Sequence, residues 1–195
     1  MRRLIPLMLI FPLAACGGVK HLSLSDARLP IEARRWLADA EDEVAITTAR
    51  VVDAKKNLRK IEHYQDSVVD KLKKAWSGGK SGSDGIKAWE AFNNYTEARV
   101  KLAEQILENA NMARQLAEMR LTQARAETAM RYDIAVYEIE PIVQEVQELR
   151  KAVAAQTKAV EAQRVNVEKS AGVAWKAFYQ YARKGGVTNA LWYAQ

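Results

Sequence analysis

The amino-acid sequence predicts an all-α protein, built as an elongated antiparallel coiled coil. Its 195 residues include only nine glycines and four prolines, and helix-favouring alanine, glutamate, lysine, arginine and glutamine are abundant. Two long stretches repeat apolar or small residues at alternating steps of three and four, which is the pattern of a coiled-coil seam. A glycine-rich stretch after the first of them allows the chain to reverse.

Residues 1–15 have the order of a secretory signal peptide. Arg2 and Arg3 form a basic start, and residues 4–15 form an apolar run that ends in small residues. A run of about a dozen apolar residues is too short to span a bilayer, which takes roughly 20. We therefore expect residues 1–15 to be a removable targeting segment.

The single cysteine of the chain, Cys16, follows this segment in the order Leu13-Ala14-Ala15-Cys16. This motif resembles the lipobox of bacterial lipoproteins. The resemblance implies a diacylglyceryl group on the Cys16 sulfur, cleavage just before Cys16, and in many bacteria a further acyl chain such as palmitate on the new amine. Many such proteins that stay in the inner membrane carry an aspartate next, whereas this chain has Gly17. The resemblance therefore implies attachment to the outer membrane, facing the periplasm.

Charge and cysteine content limit the other function classes. The formal net charge is +6, and a basic balance normally suggests nucleic acid as a partner. Export removes that option, so no nucleic acid is expected. With Cys16 occupied by lipid, no disulfide can form within the chain, and packing alone must hold the fold. No cofactor is expected apart from the covalent lipid.

Residues 16–30 are predicted to form the lipidated cysteine and a linker. Residues 17–29 are mostly small or polar, lack sustained periodicity and precede Pro30. A linker of this length reaches about 40 Å when extended. The helical domain, residues 31–184, therefore need not touch the bilayer.

A first helix is predicted over residues 31–76, which contain neither proline nor glycine. Acidic residues crowd its early turns and basic residues its last, as the helix dipole prefers. At 1.5 Å per residue its length is roughly 70 Å. Its seam needs a helical partner, because a solitary helix would leave the apolar stripe in water. The seam consists of Leu37, Ala40, Val44, Thr47, Val51, Ala54, Leu58, Ile61, Gln65, Val68, Leu72 and Ala75.

The stretch SGGKSGSDG, residues 77–85, contains four glycines and three serines and is predicted to be a turn. A second helix is expected over residues 86–140, with Asp84 as its N-cap. Two helices joined by a short loop fold back as an antiparallel hairpin. The letters GGKS in this stretch lack the leading glycine and the preceding strand of a phosphate-binding loop, so we interpret them as a hairpin tip.

Pro141 leaves two alternatives open, because a proline inside a helical pattern either kinks the helix or starts a new one. The absence of Gly, Asn or Ser nearby favours a helical hairpin with a long second helix kinked at Pro141. The matching lengths of the segments favour a three-helix bundle, with a third helix over residues 142–184 and a C-cap at Gly185-Gly186. We favour the bundle, because it also brings aromatic residues together. Residues 185–195 then form a C-terminal tail. The seam of the third segment consists of Ile142, Val146, Leu149, Val153, Gln156, Val160, Gln163, Val167, Ser170, Ala174, Ala177 and Tyr181.

His63 is the main candidate for chemistry, because it shares a helix face with Asp66 and Ser67. A catalytic triad needs its histidine between the nucleophile and the acid, beside an oxyanion hole, which successive turns of one exposed helix do not provide. Two histidines and one cysteine are also few for a zinc site. We therefore expect a solvated helix face, no metal site, no catalytic residue and no enzymatic activity.

Aromatic residues at both ends of the predicted helices are the candidates for partner binding. At helical spacing such residues more often form a core, which is the favoured interpretation, and a docking surface is the alternative. Residues 142–184 also hold eight basic and four acidic residues, which suits anionic lipid, peptidoglycan or an acidic partner. The candidates are Trp76, Trp89, Phe92, Trp175, Phe178, Trp192 and Tyr193.

These features predict a non-enzymatic, lipid-anchored envelope protein that acts as a coiled-coil scaffold, spacer or accessory subunit. A protein partner or a second copy is expected to bind through helix seams, with Val51, Leu58, Val153 and Val160 carrying assembly. The alternative is a binding module or holdase that captures a peptide, a lipid or a cell-wall glycan at the aromatic end.

Overall fold

The computed structural model describes residues 22–77 and 82–186. Within these ranges the chain forms helices and connections and no strand, which confirms the all-α prediction. None of the helices in the described ranges is both long and apolar enough to cross a membrane. The predictions for Leu13, Ala14, Ala15, Cys16, residues 78–81, Trp192 and Tyr193 lie outside the described residues.

Three long helical segments follow one another along the chain. Helix α1, Ile31–Tyr64, continues through one π-helical turn, Gln65–Val69, into helix α2, Asp70–Trp76. Helix α3 spans Gly82–Arg131 and helix α4 spans Ile139–Arg183. The second helix was predicted over residues 86–140, and both bounds are wrong: α3 begins before residue 86 and ends before residue 140.

Pro141 lies in the first turn of α4 and not in a kink. Proline is tolerated there because the first amide groups of a helix have no intrahelical partner. The chain between Arg131 and Ile139 reverses direction, so the favoured three-helix arrangement is present. The hairpin with one long kinked helix is wrong.

Helices α3 and α4 both end in a Schellman motif, in which a left-handed residue follows the helix and the next amide bonds back to its last turn. After α3, Asp133 adopts a φ of 52°, and Ile134 donates its amide to the carbonyl of Ala129 at 2.8 Å. After α4, Gly185 adopts a φ of 83°, and the following amide donates to the carbonyl of Tyr181 at 3.1 Å. The glycine cap was predicted from the sequence. The aspartate was not, because aspartate adopts this conformation less readily than glycine.

Helix α3 is the central element. It packs along α1 and along α4, and both contacts are far more extensive than any contact between α1 and α4. Arg120 of α3 bonds Glu43 of α1, with 2.7 Å between Nη1 and Oε1. On the other side, Gln163 of α4 donates from Nε2 to the carbonyl of Ala98 at 3.0 Å. With partners on two sides α3 cannot have one apolar stripe, and small residues such as Ala103 let both partners approach.

The seams predicted from heptad spacing face the inside of the bundle. Every predicted seam residue of α4 is buried or half-buried. At and after the π-helical turn the predicted Leu72 is buried, but two other buried positions lie one residue beyond the predicted ones: Val69 and Trp76 are buried while Val68 and Ala75 are only half-buried. The π-helical turn explains the shift, because its wider turn inserts one residue into the register.

Two apolar clusters close the ends of the bundle. The aromatic end, where α2 meets α3, contains the cluster described below. The base, where α1 begins and α3 ends, is closed by Leu22, Leu29, Ala33, Leu37 and Ala124. Partly buried Tyr132 and Ile134, from the connection to α4, pack against this second cluster.

The described part of the predicted linker is docked on the base. Leu22 and Leu29 are buried there, and the Arg34 guanidinium donates from Nε to the carbonyl of Leu29 at 2.9 Å. Arg28 bonds both carboxylate oxygens of the half-buried Asp26 and lowers the pKa of that carboxyl to about 2. From Leu22 onward the predicted linker therefore lies against the base and does not use its full extended reach, because Leu22 and Leu29 pack in an apolar site beside α1 and α3.

Candidate functional site

A buried aromatic cluster joins all three helical segments at the aromatic end. Trp76, the last residue of α2, is 1% exposed. Its ring centroid lies 5.4 Å from that of Phe178, 6.0 Å from that of Tyr181 and 6.1 Å from that of Phe92. Phe92 belongs to α3, and Phe178 and Tyr181 belong to α4. The indole of Trp76 therefore contacts both of the other helical segments.

The close approach of α3 to Trp76 depends on Gly85. A Cβ atom placed on Gly85 would lie 1.8 Å from the carbonyl oxygen of Trp76 and 3.0 Å from the ring of Tyr181. The Trp76 backbone at the end of α2 therefore occupies the space in which any other residue at position 85 would carry its side chain.

Trp89 has a structural role beside the π-helical turn. Its indole donates from Nε1 to the carbonyl of Val69 at 2.9 Å. The Lys73 ammonium lies 4.4 Å from the centroid of the same ring, within range of a cation–π interaction. Trp89 thus bonds the last residue of the turn that shifts the seam, and it holds α3 against that turn.

An exposed stripe on α4 remains available for contacts outside the chain. We call Val165, Gly172, Trp175 and Tyr179 the α4 stripe; successive members are three, four or seven residues apart, so they share one helix face. Trp175 is 40% exposed and Tyr179 is 61% exposed, and their ring centroids lie 6.2 Å apart. Nothing lies within 4 Å of a Cβ placed on Gly172. Aromatic side chains are enriched in protein interfaces, so this stripe is the candidate docking surface.

Charged groups hold the same end together. The Lys184 ammonium bonds Asp84 at 2.9 Å, and this hydrogen bond lowers the pKa of the Asp84 carboxyl. The sequence predicted Asp84 as the N-cap of this helix. That prediction is wrong, because Asp84 lies in the first turn of α3. Because the folded pKa is lowered, the stabilisation is present above the ordinary carboxylate range and is lost as the pH falls through the lowered value.

Burial separates the sequence-predicted aromatic residues into two groups. Trp76, Phe92 and Phe178 are buried, and Trp89 is half-buried. Trp175 is the one described candidate that is exposed. Tyr179, its neighbour on the α4 stripe four residues further along the helix, is exposed as well.

The residues predicted to carry assembly are used inside the chain. Val160 is buried, and Val51, Leu58 and Val153 are half-buried along the two sides of α3.

Polar side chains form no obvious reaction centre within residues 22–77 and 82–186. His63 and Asp66 are exposed, and no group of three metal-ligating side chains occurs in these ranges. An open groove of about 290 Å³ lies between α1 and α3 beside Trp36. Glu43 in its wall bonds Arg120.

The described residues thus define an elongated all-α bundle with a buried aromatic end and an exposed stripe on one helix. No protein-family model, curated protein or solved structure matches this chain.

Proposed function

We propose that this protein is a non-enzymatic, lipid-anchored envelope protein that acts as a scaffold, spacer or accessory subunit of a periplasmic or outer-membrane assembly. The lipid on Cys16 would hold the base of the bundle near a membrane. The helices would then present the aromatic end and the α4 stripe to a partner.

The observation that carries this proposal is the position of the two ends. Leu22, six residues after Cys16, is buried at the base, whereas Trp76 and Tyr181 are buried at the aromatic end. From Phe92 in one cluster to Ala124 in the other, α3 advances 32 residues, about 48 Å of helix. A chain tethered near Leu22 therefore reaches a partner far from its anchor, which is the geometry of a spacer.

The α4 stripe supports a protein partner. Burying an aromatic side chain contributes more to binding than burying most others, and Trp and Tyr are enriched among interface residues that dominate affinity. Exposed Lys169 and Lys176 lie beside this stripe, and exposed Glu168 lies on it, seven residues before Trp175. This arrangement suits a partner with an apolar centre and a rim of mixed charge.

Replacing Cys16 with serine tests the anchor. We expect Cys16→Ser to abolish incorporation of a fatty-acid probe and to leave an uncleaved precursor, because the sulfur that would accept the diacylglyceryl group is missing. Metabolic labelling and intact-protein mass measure both results, with the unchanged chain as the control. Labelling that persists in Cys16→Ser would remove the lipid anchor from the proposal.

Site-specific photocrosslinking in cells tests the partner surface. We expect a benzophenone amino acid at Tyr179 to yield one discrete adduct. The same amino acid at Val52 should yield far less. Val52 is the matched control, because it lies on α1 and both residues are 61% exposed. Equal adducts from both positions would contradict a specific surface, and an adduct of twice the chain mass would identify a second copy as the partner.

The exposed pair Trp175 and Tyr179 also favours a second function, the binding of a cell-wall glycan. Their rings are tilted by 35°, and exposed aromatic faces can stack on sugars. Titration with soluble peptidoglycan fragments distinguishes the two functions. A change in fluorescence that disappears in Trp175→Leu favours glycan binding, whereas no change together with a protein crosslink favours the scaffold.

A further inference from the structure

The base of the bundle exposes apolar side chains from three parts of the chain. Val136 in the connection before α4 is 93% exposed, Ile31 at the start of α1 is 61% exposed, and Met130 near the end of α3 is 39% exposed. We call these three residues the base surface. Exposing apolar area costs about 25 cal/mol per Å², so a medium that removes them from water would stabilise this end.

Two aromatic residues accompany the base surface. Trp36 lies little more than one turn after Ile31 and is 39% exposed, and Tyr137 directly follows Val136 and is half-buried. Trp and Tyr are enriched at the level of lipid headgroups, because their rings combine an apolar body with a polar tip. Exposed apolar side chains on the base surface, with Trp36 and Tyr137 beside them, are the combination expected at a bilayer interface.

The covalent chain limits how far the base can be from the lipid anchor. Leu22 is docked in the base cluster, and only residues 17–21 lie between it and Cys16. Six Cα-to-Cα steps span at most about 22 Å, roughly half of the reach expected from a linker that extended to Pro30. A tether this short also keeps the local concentration of membrane surface high. Weak contacts are then sufficient to hold the base of the bundle against the bilayer.

The charges around the base surface are nearly balanced. Residues 22–37 and 128–142 contain four basic and five acidic side chains. Attraction to anionic headgroups therefore cannot dominate this contact, since binding driven by charge requires an excess of basic residues. The basic residues are Arg28, Arg34, Arg35 and Arg131, and the acidic ones are Asp26, Glu32, Asp133, Glu138 and Glu140.

We propose that the base surface rests on the lipid bilayer to which Cys16 is anchored, with Ile31, Met130 and Val136 immersed in the headgroup region. The contact is apolar, requires no particular headgroup charge, and directs the helices away from the membrane. It rests on the proposed function, because the tether exists only if Cys16 carries lipid.

A fluorescent probe at Val136 tests this contact in the full lipidated protein. Because lipid occupies Cys16, Val136→Cys supplies the only free thiol, and its exposure means that the substitution removes no core contact. The matched controls are Val52→Cys and Val173→Cys, which replace residues 61% and 62% exposed on α1 and on the distal part of α4. Each protein is labelled with an environment-sensitive dye and reconstituted into vesicles of phosphatidylcholine, with or without phosphatidylglycerol.

We expect the Val136 probe to emit at shorter wavelength and to be quenched severalfold less by aqueous iodide than both control probes. Protection should be the same in both vesicle compositions and at high salt. Equal quenching at all three positions would overturn the proposal, as would protection that depends on the ratio of protein to lipid, which indicates contact between copies. The intact mass of the same sample distinguishes failure of the lipid anchor from failure of the membrane contact. A chain without lipid contradicts the proposed function. A lipidated chain with an exposed Val136 probe contradicts only the membrane contact.

Discussion

Trp76→Ala should lower the free energy of unfolding by about 3–5 kcal/mol, the cost typical of removing a buried aromatic side chain. Trp76 is almost completely buried, and its ring contacts Phe92, Phe178 and Tyr181 from two other helices. Alanine would leave a cavity that these rings cannot fill without separating α3 from α4. Urea denaturation followed by circular dichroism measures the change.

Two variants make this experiment specific. Trp175→Ala removes an indole that is 40% exposed and should cost less than about 1 kcal/mol, as expected for a surface position. Trp76→Phe should retain much of the stability, because it keeps an aromatic ring and removes an Nε1 donor that is buried without a partner within the described residues. Similar losses for Trp76→Ala and Trp175→Ala would show that the cluster does not hold this end together.

Gly85→Ala should destabilise the protein by about 1–3 kcal/mol or more, as expected when extra atoms are forced into a packed site. The added Cβ would overlap the Trp76 carbonyl oxygen, which is backbone and cannot move aside without displacing α2 from α3. The usual effect of this substitution inside a helix has the opposite sign, since alanine is favoured over glycine by about 1 kcal/mol.

Gly172→Ala is the matched control, because there the change from glycine to alanine should raise stability and not lower it. Gly172 also lies within a long helix, but a Cβ placed there has nothing within 4 Å, so alanine should raise stability by about 0.5–1 kcal/mol. Thermal and urea denaturation of both variants measure the difference. Stabilisation by Gly85→Ala would mean that α3 does not approach Trp76 as closely as described.

Heptad spacing was sufficient to predict α4, from Ile142 to Tyr181, including the face that packs on α3. It was sufficient because α4 packs mainly on α3 and therefore has one main seam. The same reasoning worked for α1 until Tyr64. From the π-helical turn onward it was only partly correct, because Leu72 is buried as predicted while Val69 and Trp76 are buried in place of Val68 and Ala75.

The candidate docking surface was less predictable than the fold. The list of aromatic residues was correct as a list of large apolar side chains, but spacing alone could not separate the buried Trp76 from the exposed Trp175. That separation depends on which face of α4 meets α3. The docked position of Leu22 and Leu29 was equally hidden, because their site is formed by residues that are distant in the sequence.

By itself the sequence determined the helical class, the three long segments, the glycine cap after α4 and the lipobox-like motif at Cys16, because each depends on residues close together along the chain. Only the tertiary structure decided the turn at Asp133, the central position of α3, the exposure of the α4 stripe and the docking of residues 22–29 on the base. These depend on which surfaces meet in space, since packing between distant residues selects one local conformation among several that the sequence allows.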